Sequence, residues 1–409
     1  MIFHFMNEAG QREGSLNRAE RGKQVRSLFS FCTFHFIDDG FTDSIYLLLP
    51  FIAAELNLSF GQVGLLKGVF SGSMGLLQVP LSLLGEKIGE AIVIAAGTFG
   101  LGGGFLLLSR VTSFPAILFS LILAKGTAAG QHGLSSSILS RVFEVSGRRA
   151  AMGTYNFSGD MGKVCIPFLL AVMINLWGWR QAVFTLSIGG LVAGALLCTL
   201  VQQKKDLPLS LQPNEKLMPE GNGWGIRSRK RFSALLTIGI IDIMARNALL
   251  TFLPFLFLKK GIPAAQVGFA LALLFAGGAV GKFACGVLAE WFGIIPMVVG
   301  TEILTAAGIL SLTWSPTSVI WILLPVVGVV LNGTSSVLYA TVAEIISPSA
   351  RSRGYGLYYA ITLGSGAISP VVYGLLTDRL GLSFTMISTA LMVLLTLPLS
   401  RYLSGPDNT

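Results

Sequence analysis

Twelve runs of about 20 apolar residues follow one another along the chain, and no other feature constrains its fold so strongly. They cover residues 28–54, 61–84, 91–109, 114–140, 152–176, 180–201, 233–257, 264–288, 294–313, 318–344, 354–377 and 382–403. A helix of about 20 residues rises ~1.5 Å per residue, enough to cross a ~30 Å hydrocarbon core. No water reaches backbone amides there, so each run must satisfy its own hydrogen bonds, which predicts helix throughout. Charged residues make up 12% of the chain, against roughly 25% in soluble domains. The expected fold is an all-α polytopic membrane protein with twelve transmembrane helices.

Basic residues set the expected orientation. With both termini inside, 19 of the 29 Lys and Arg fall in inner segments and 5 in outer loops, the asymmetry of the positive-inside rule. The same bias explains the net charge of +9 without nucleic-acid binding. Residues 1–27 are polar and basic and lack the layout of a signal peptide, so they read as a disordered cytoplasmic tail. The expected location is the inner or plasma membrane, with lipid as the surrounding partner and a monomer as the working unit. The four cysteines lie in apolar segments without metal-ligand spacing.

The chain also repeats itself. A shift of 204 places Ile37–Asp38 on Ile241–Asp242, Leu49–Pro50–Phe51 on Leu253–Pro254–Phe255, Gln62–Val63–Gly64 on Gln266–Val267–Gly268, and Glu86 and Gly89 on Glu290 and Gly293. A shift of 203 places Arg148, Gly153, Tyr155 and Pro167 on Arg351, Gly356, Tyr358 and Pro370. Two six-helix bundles are therefore expected at 28–201 and 233–403, joined by a cytoplasmic linker at 202–232 and followed by a short tail at 404–409. The linker is polar, bears Pro and Gly, and ends basic.

Two loop sequences, SLLGEKIGE after the second run and GVLAEWFG after the eighth, resemble the signature of the major facilitator superfamily (MFS): Gly, three residues, an acid, a base, one residue, then Gly. Ser82 replaces the first glycine in one copy and Trp291 replaces the base in the other. GDMGKVCIP at Gly159–Pro167 is similar to the Gly-x-x-Gly…Pro pattern of superfamily exporters, with Asp160 and Lys163 added. The His-x-x-x-Asp of His35–Asp39 is similar to the first helix of fosmidomycin-resistance-type exporters. The resemblance implies a central cavity between the halves, lined by every helix except 3, 6, 9 and 12. It also implies that Glu86, Gly89, Arg148 and Arg149, with Glu290, Gly293, Arg351 and Arg353, act as cytoplasmic gate motifs.

Eleven charges lie inside the predicted spans: Asp38, Asp39, Asp43, Lys67, Lys125, Asp160, Lys163, Asp242, Arg246, Lys282 and Glu302. At about 2.5–3.5 kcal/mol each on a lipid-facing helix, together they would cost about 30 kcal/mol, beyond a folding stability of about 5–15 kcal/mol. They must face protein or water. Asp38, Asp39, Asp43 and His35 are the proton-coupling candidates, because Asp39 and Asp43 share a face and His35 sits one turn away. Lys125, Asp160, Lys163, Asp242, Arg246, Tyr155, Tyr358 and Lys282 are the substrate-cavity candidates. For Asp160/Lys163 and Asp242/Arg246 an ion pair stapling the helix is the alternative, and Lys125 could serve an anionic solute or pair with helix 1. Lys67 is expected to snorkel, and Glu302 carries little functional weight.

No nucleotide loop, catalytic triad or metal cluster is legible, so no enzyme activity, cofactor or metal is expected. The expected function is a secondary active transporter that moves a small polar or charged organic solute by alternating access, coupled to H+. A proton-driven drug or metabolite exporter, a proton-independent facilitator and a non-transporting membrane sensor are the alternatives.

Overall fold

The computed structural model describes residues 18–143, 147–202, 225–347 and 351–403. Residues 1–17 of the expected N-terminal tail, the C-terminal tail, most of the linker, and the side chains of Glu86, Arg148, Arg149, Arg351 and Arg353 lie outside the described residues. Among the described residues the chain is helical nearly throughout and forms no strand; a lone β-bridge joins Ile226 to Ile346. The helices are α1 Arg18–Leu56, α2 Phe60–Ile88, α3 Glu90–Leu108, α4 Phe114–Thr127, α5 Gln131–Val142, α6 Arg148–Trp177, α7 Trp179–Gln202, α8 Arg229–Lys259, α9 Ala264–Phe292, α10 Ile294–Trp314, α11 Thr317–Ile345, α12 Arg351–Leu380, α13 Leu382–Leu394 and α14 Thr396–Ser400. With α4–α5 and α13–α14 each counted as one interrupted helix, these fill the twelve expected spans. Among the described residues, ten stretches are long and apolar enough to cross a membrane by length and composition. The protein is a polytopic helical membrane protein.

Local differences from expectation have physical causes. The first helix begins at Arg18, so the basic stretch ahead of residue 28 continues the helix, and Gln24 Nε2 donates to the Val142 carbonyl at 3.1 Å. The fourth span breaks at 128–130. There Thr127 bonds back to the Leu123 carbonyl at 2.7 Å, a contact that bends helices. A Cβ on Gly97 would come within 2.8 Å of the Thr127 carbonyl oxygen, so α3 lies directly against the break. Gly89 and Gly293 close the junctions α2–α3 and α9–α10 with φ of 109° and 86°, a region that strains any side chain.

Packing divides the chain into two compact units. One contains Met1–Ser44 and Leu76–Ser210, the other Ile45–Gly75 and Leu211–Thr409. In each, large apolar side chains such as Leu76, Phe283, Trp291 and Ile322 are exposed, as lipid-facing positions should be. The intramembrane charges behave oppositely. Asp38, Asp39, Lys67, Lys125, Asp242 and Glu302 are buried, and the other five are half-buried. Lys67 does not snorkel: it is buried, with its ammonium 4.6 Å from the Tyr46 ring centroid and 2.7 Å from the Ser71 hydroxyl. Cation–π attraction and a hydrogen bond replace water there.

Candidate functional site

The first unit gathers its charges around one face of α1. His35 and Asp39 are four apart, as are Asp38 and Thr42, so each pair stacks along the helix. Helix α6 can approach that face because it carries glycines. A Cβ on Gly159 would lie 2.6 Å from the His35 ring and 2.7 Å from Asp39 Oδ2, and one on Gly162 would collide with the Phe36 backbone. The exporter-like Gly-x-x-Gly is thus the spacing that seats α6 on α1.

Asp38 and Asp39 have different partners. Lys125 of α4 donates to both Asp38 oxygens at 3.2 and 3.1 Å and to Thr42 Oγ1 at 2.8 Å, while Thr42 donates to the Asp38 carbonyl at 2.6 Å. Lys125 is 1% exposed. Of its two expected roles, the structure displays the pairing with helix 1. Asp39 instead meets Lys163 Nζ at 3.0 Å and His35 Nε2 at 3.2 Å, both on Oδ2. Asp160 lies 3.5 Å from Lys163 Nζ, and Asp43 is within electrostatic reach of the same ammonium.

Two further contacts decide what the cluster can do. His35 Nδ1 is 2.8 Å from the Tyr155 carbonyl oxygen, which can only accept, so Nδ1 carries a hydrogen. Nε2 then faces a carboxylate oxygen, and the contact is favourable only with a proton between them. His132 of α5, absent from the expected site, places Nε2 3.5 Å from both Asp38 Oδ2 and Asp39 Oδ1. Its ring meets the His35 ring edge-to-face at 5.0 Å, and Tyr155 stacks on His35 at 4.1 Å. Four carboxylates (Asp38, Asp39, Asp43, Asp160) face two ammoniums (Lys125, Lys163) and two imidazoles. With neutral imidazoles the cluster carries two excess negative charges; with both protonated it balances. Ligand-type atoms of His35, Asp39 and His132 lie within 4.8 Å of one another, close enough for an ion to bridge. The two lysine ammoniums already in the cluster oppose a dication there, and the trio is suited to exchanging protons.

The second unit holds a separate charged group. Arg246 Nη2 donates to Asp242 Oδ2 at 2.6 Å within α8. Tyr358 of α12 and Tyr339 of α11 are in electrostatic reach of Arg246, and Asn247 donates to the Gly366 carbonyl at 2.8 Å. Glu302 of α10, 1% exposed, also feels Asp242 and Arg246. Lys282 is half-buried on α9. Of the gate motifs, Glu290 is exposed, while Gly89 and Gly293 meet a backbone requirement. The sequence reading passed over Glu90, next to Gly89, which pairs with Arg141 of α5 and accepts from Ser137 at 2.9 Å.

Comparison with known proteins agrees with this architecture. The family model of the Major Facilitator Superfamily matches residues 31–254 and again 235–408. The fosmidomycin resistance protein of Escherichia coli (strain K12) is 24% identical over 389 residues, covering 91% of each chain. An uncharacterized MFS-type transporter of Bacillus subtilis (strain 168) is 25% identical over 374 residues, covering 88% of each. Among solved structures, a bacterial homologue of the human lysosomal transporter Spinster superposes with a TM-score of 0.78 at 16% identity, covering 94% of this chain and 99% of the other.

Proposed function

The chain belongs to the major facilitator superfamily, and from that premise we propose that it is a proton-coupled secondary transporter moving a small polar or charged organic solute by alternating access. Members of this family carry solutes across membranes and are not enzymes, so the question is what drives and selects the cargo. One observation carries the coupling. His35 Nε2 lies 3.2 Å from Asp39 Oδ2 while its Nδ1 is committed to a backbone carbonyl, so the pair needs a proton that either partner can hold. Asp39 is the proton carrier in this reading, with His35 and His132 as its relay and Lys163 as the cation that takes over the carboxylate when the proton leaves. Asp38 is held by Lys125 and plays a structural part.

Lys163 and His132 supply the solute contacts. Their side chains are 26% and 32% exposed, against 2% for Lys125, so a solute can reach them where it cannot reach Lys125. Export is the favoured direction, on the strength of the fosmidomycin-resistance likeness and the Gly-x-x-Gly of α6. The protein works as a monomer in the inner or plasma membrane. Its halves at 28–201 and 233–403 are joined by 202–232, with both termini in the cytoplasm.

A thermal-shift screen of purified protein against organic anions, organic cations and fosmidomycin tests the solute class. Stabilisation by anionic or polar solutes is expected. Stabilisation by hydrophobic cations alone would overturn the polar-solute reading.

A further inference from the structure

We propose that the start of α8 and the end of α14 together bind the headgroup of an anionic phospholipid, through Arg229, Lys230 and Arg401, with Arg227 beside them. Its leaflet, the cytoplasmic one, follows from the orientation proposed above; the binding itself depends neither on that orientation nor on proton coupling.

Two cations already share one aromatic ring. Lys230 Nζ lies 4.4 Å from the centroid of Tyr402, and the Arg401 guanidinium lies 4.7 Å from it while donating to the Tyr402 hydroxyl at 2.8 Å. Like charges gathered on one ring repel each other, so an anion that meets both is held by both. Arg231 ties the two elements together, its Nε donating to the Leu403 carbonyl at 3.1 Å. Just upstream, the Arg227 N–H donates to the Ile345 carbonyl at 3.0 Å. Ser347 N–H donates to the Gly225 carbonyl at 2.8 Å, on either side of the Ile226–Ile346 bridge. Ser228 then caps α8, accepting from the Arg231 N–H at 3.4 Å. The basic residues thus stand on a fixed backbone, and little ordering is needed before a ligand binds.

Their charge is uncompensated. Arg227, Arg229, Lys230 and Arg401 are all exposed, and among the described residues no carboxylate lies within ion-pairing distance of any of them. Residues 225–235 and 396–403 contain no acid, and Glu344, exposed near the end of α11, is the acid closest in sequence to the bridge. Guanidinium forks match the oxygens of a phosphodiester, and basic groups at a helix end beside the membrane attract anionic headgroups. An apolar surface adjoins the cations. Leu391 and Leu395, four apart and 56% and 59% exposed, lead along α13 to α14 and so to Arg401 and Tyr402. A free anion would use the cations alone. A phospholipid uses the cations for its headgroup and the leucines for its acyl chains, and for that reason the lipid is the ligand assigned.

Native mass spectrometry of the detergent-purified chain, titrated with phosphatidylglycerol, measures the binding. Lys230→Ala combined with Arg401→Ala is expected to weaken it about 25-fold, at roughly fivefold for each cation removed beside a membrane surface. Lys259→Ala combined with Arg379→Ala removes the same charge at the far ends of α8 and α12 and should leave binding unchanged. An equal loss there would show that net charge alone attracts the lipid. Lys230→Arg combined with Arg401→Lys keeps both charges and should bind as the native chain does; loss of binding in that variant, with folding verified by size exclusion, would overturn recognition by charge. Phosphatidylcholine with the same acyl chains should bind about tenfold less tightly or worse, and equal binding would overturn the headgroup assignment. Inorganic phosphate in large excess should not displace phosphatidylglycerol; displacement would make this a free-anion site instead. Asp39→Asn should bind the lipid as the native chain does, which separates this site from the coupling reading.

Discussion

The Asp38–Lys125 pair allows a quantitative test of how the first unit is held together. Both side chains are buried, and Lys125 Nζ lies 3.1 Å from Asp38 Oδ2. With an effective dielectric of about 20, two unit charges at that distance attract by about 5 kcal/mol. Removing one partner strands the other charge in a site without water, at a cost of about 3–5 kcal/mol. Lys125→Met alone and Asp38→Asn alone should therefore each destabilise the protein by about that amount. The double variant leaves no uncompensated charge and should recover most of the loss. The assay is a double-mutant cycle on denaturant unfolding in detergent, read by tryptophan fluorescence and checked by size exclusion. A coupling energy of about 2 kcal/mol or more is expected. Additive losses, with coupling below about 0.5 kcal/mol, would refute the view that this pair is a closed structural unit.

Other perturbations separate tight packing from exposed contacts. Gly159→Ala pushes a methyl group against His35 and Asp39 and should cost about 1–3 kcal/mol while impairing proton-driven uptake; a neutral effect on both would show that α6 does not need that close seat. Gly293→Ala forces a side chain to φ 86° and should cost about 1–3 kcal/mol, visible as a lower unfolding midpoint, whereas Gly300→Ala, with open space around it, should not. Glu90→Ala removes a pair whose arginine side chain is 34% exposed, so its stability loss should stay near 1 kcal/mol or below in the same unfolding assay.

The sequence made legible whatever depends on one helix at a time. Span positions followed from apolar run length, and the pairs Asp242–Arg246 and Asp160–Lys163 followed from helical spacing, to be found at 2.6 and 3.5 Å. Contacts between helices were harder to read. His132 gave no signal because a single histidine near an apolar run has no partner in its own helix, and its partners sit on α1. The break at 128–130 depends on Thr127 bonding back along α4 and on Gly97 approaching from α3, which no local pattern in the fourth span records. Glu302 was discounted as a residue at the edge of its span, yet it lies in the middle of α10 and is buried. Lys67 was misjudged because Tyr46, on another helix, gives the ammonium an aromatic face.

The most direct test of the central claim is pH-gradient-driven uptake into proteoliposomes of whichever solute most stabilises the protein, compared between the native chain and Asp39→Asn. Native protein is predicted to concentrate the solute when a proton gradient is imposed. Asp39→Asn is predicted to lose that accumulation while still exchanging labelled for unlabelled solute in counterflow. Undiminished gradient-driven accumulation in Asp39→Asn would contradict the account.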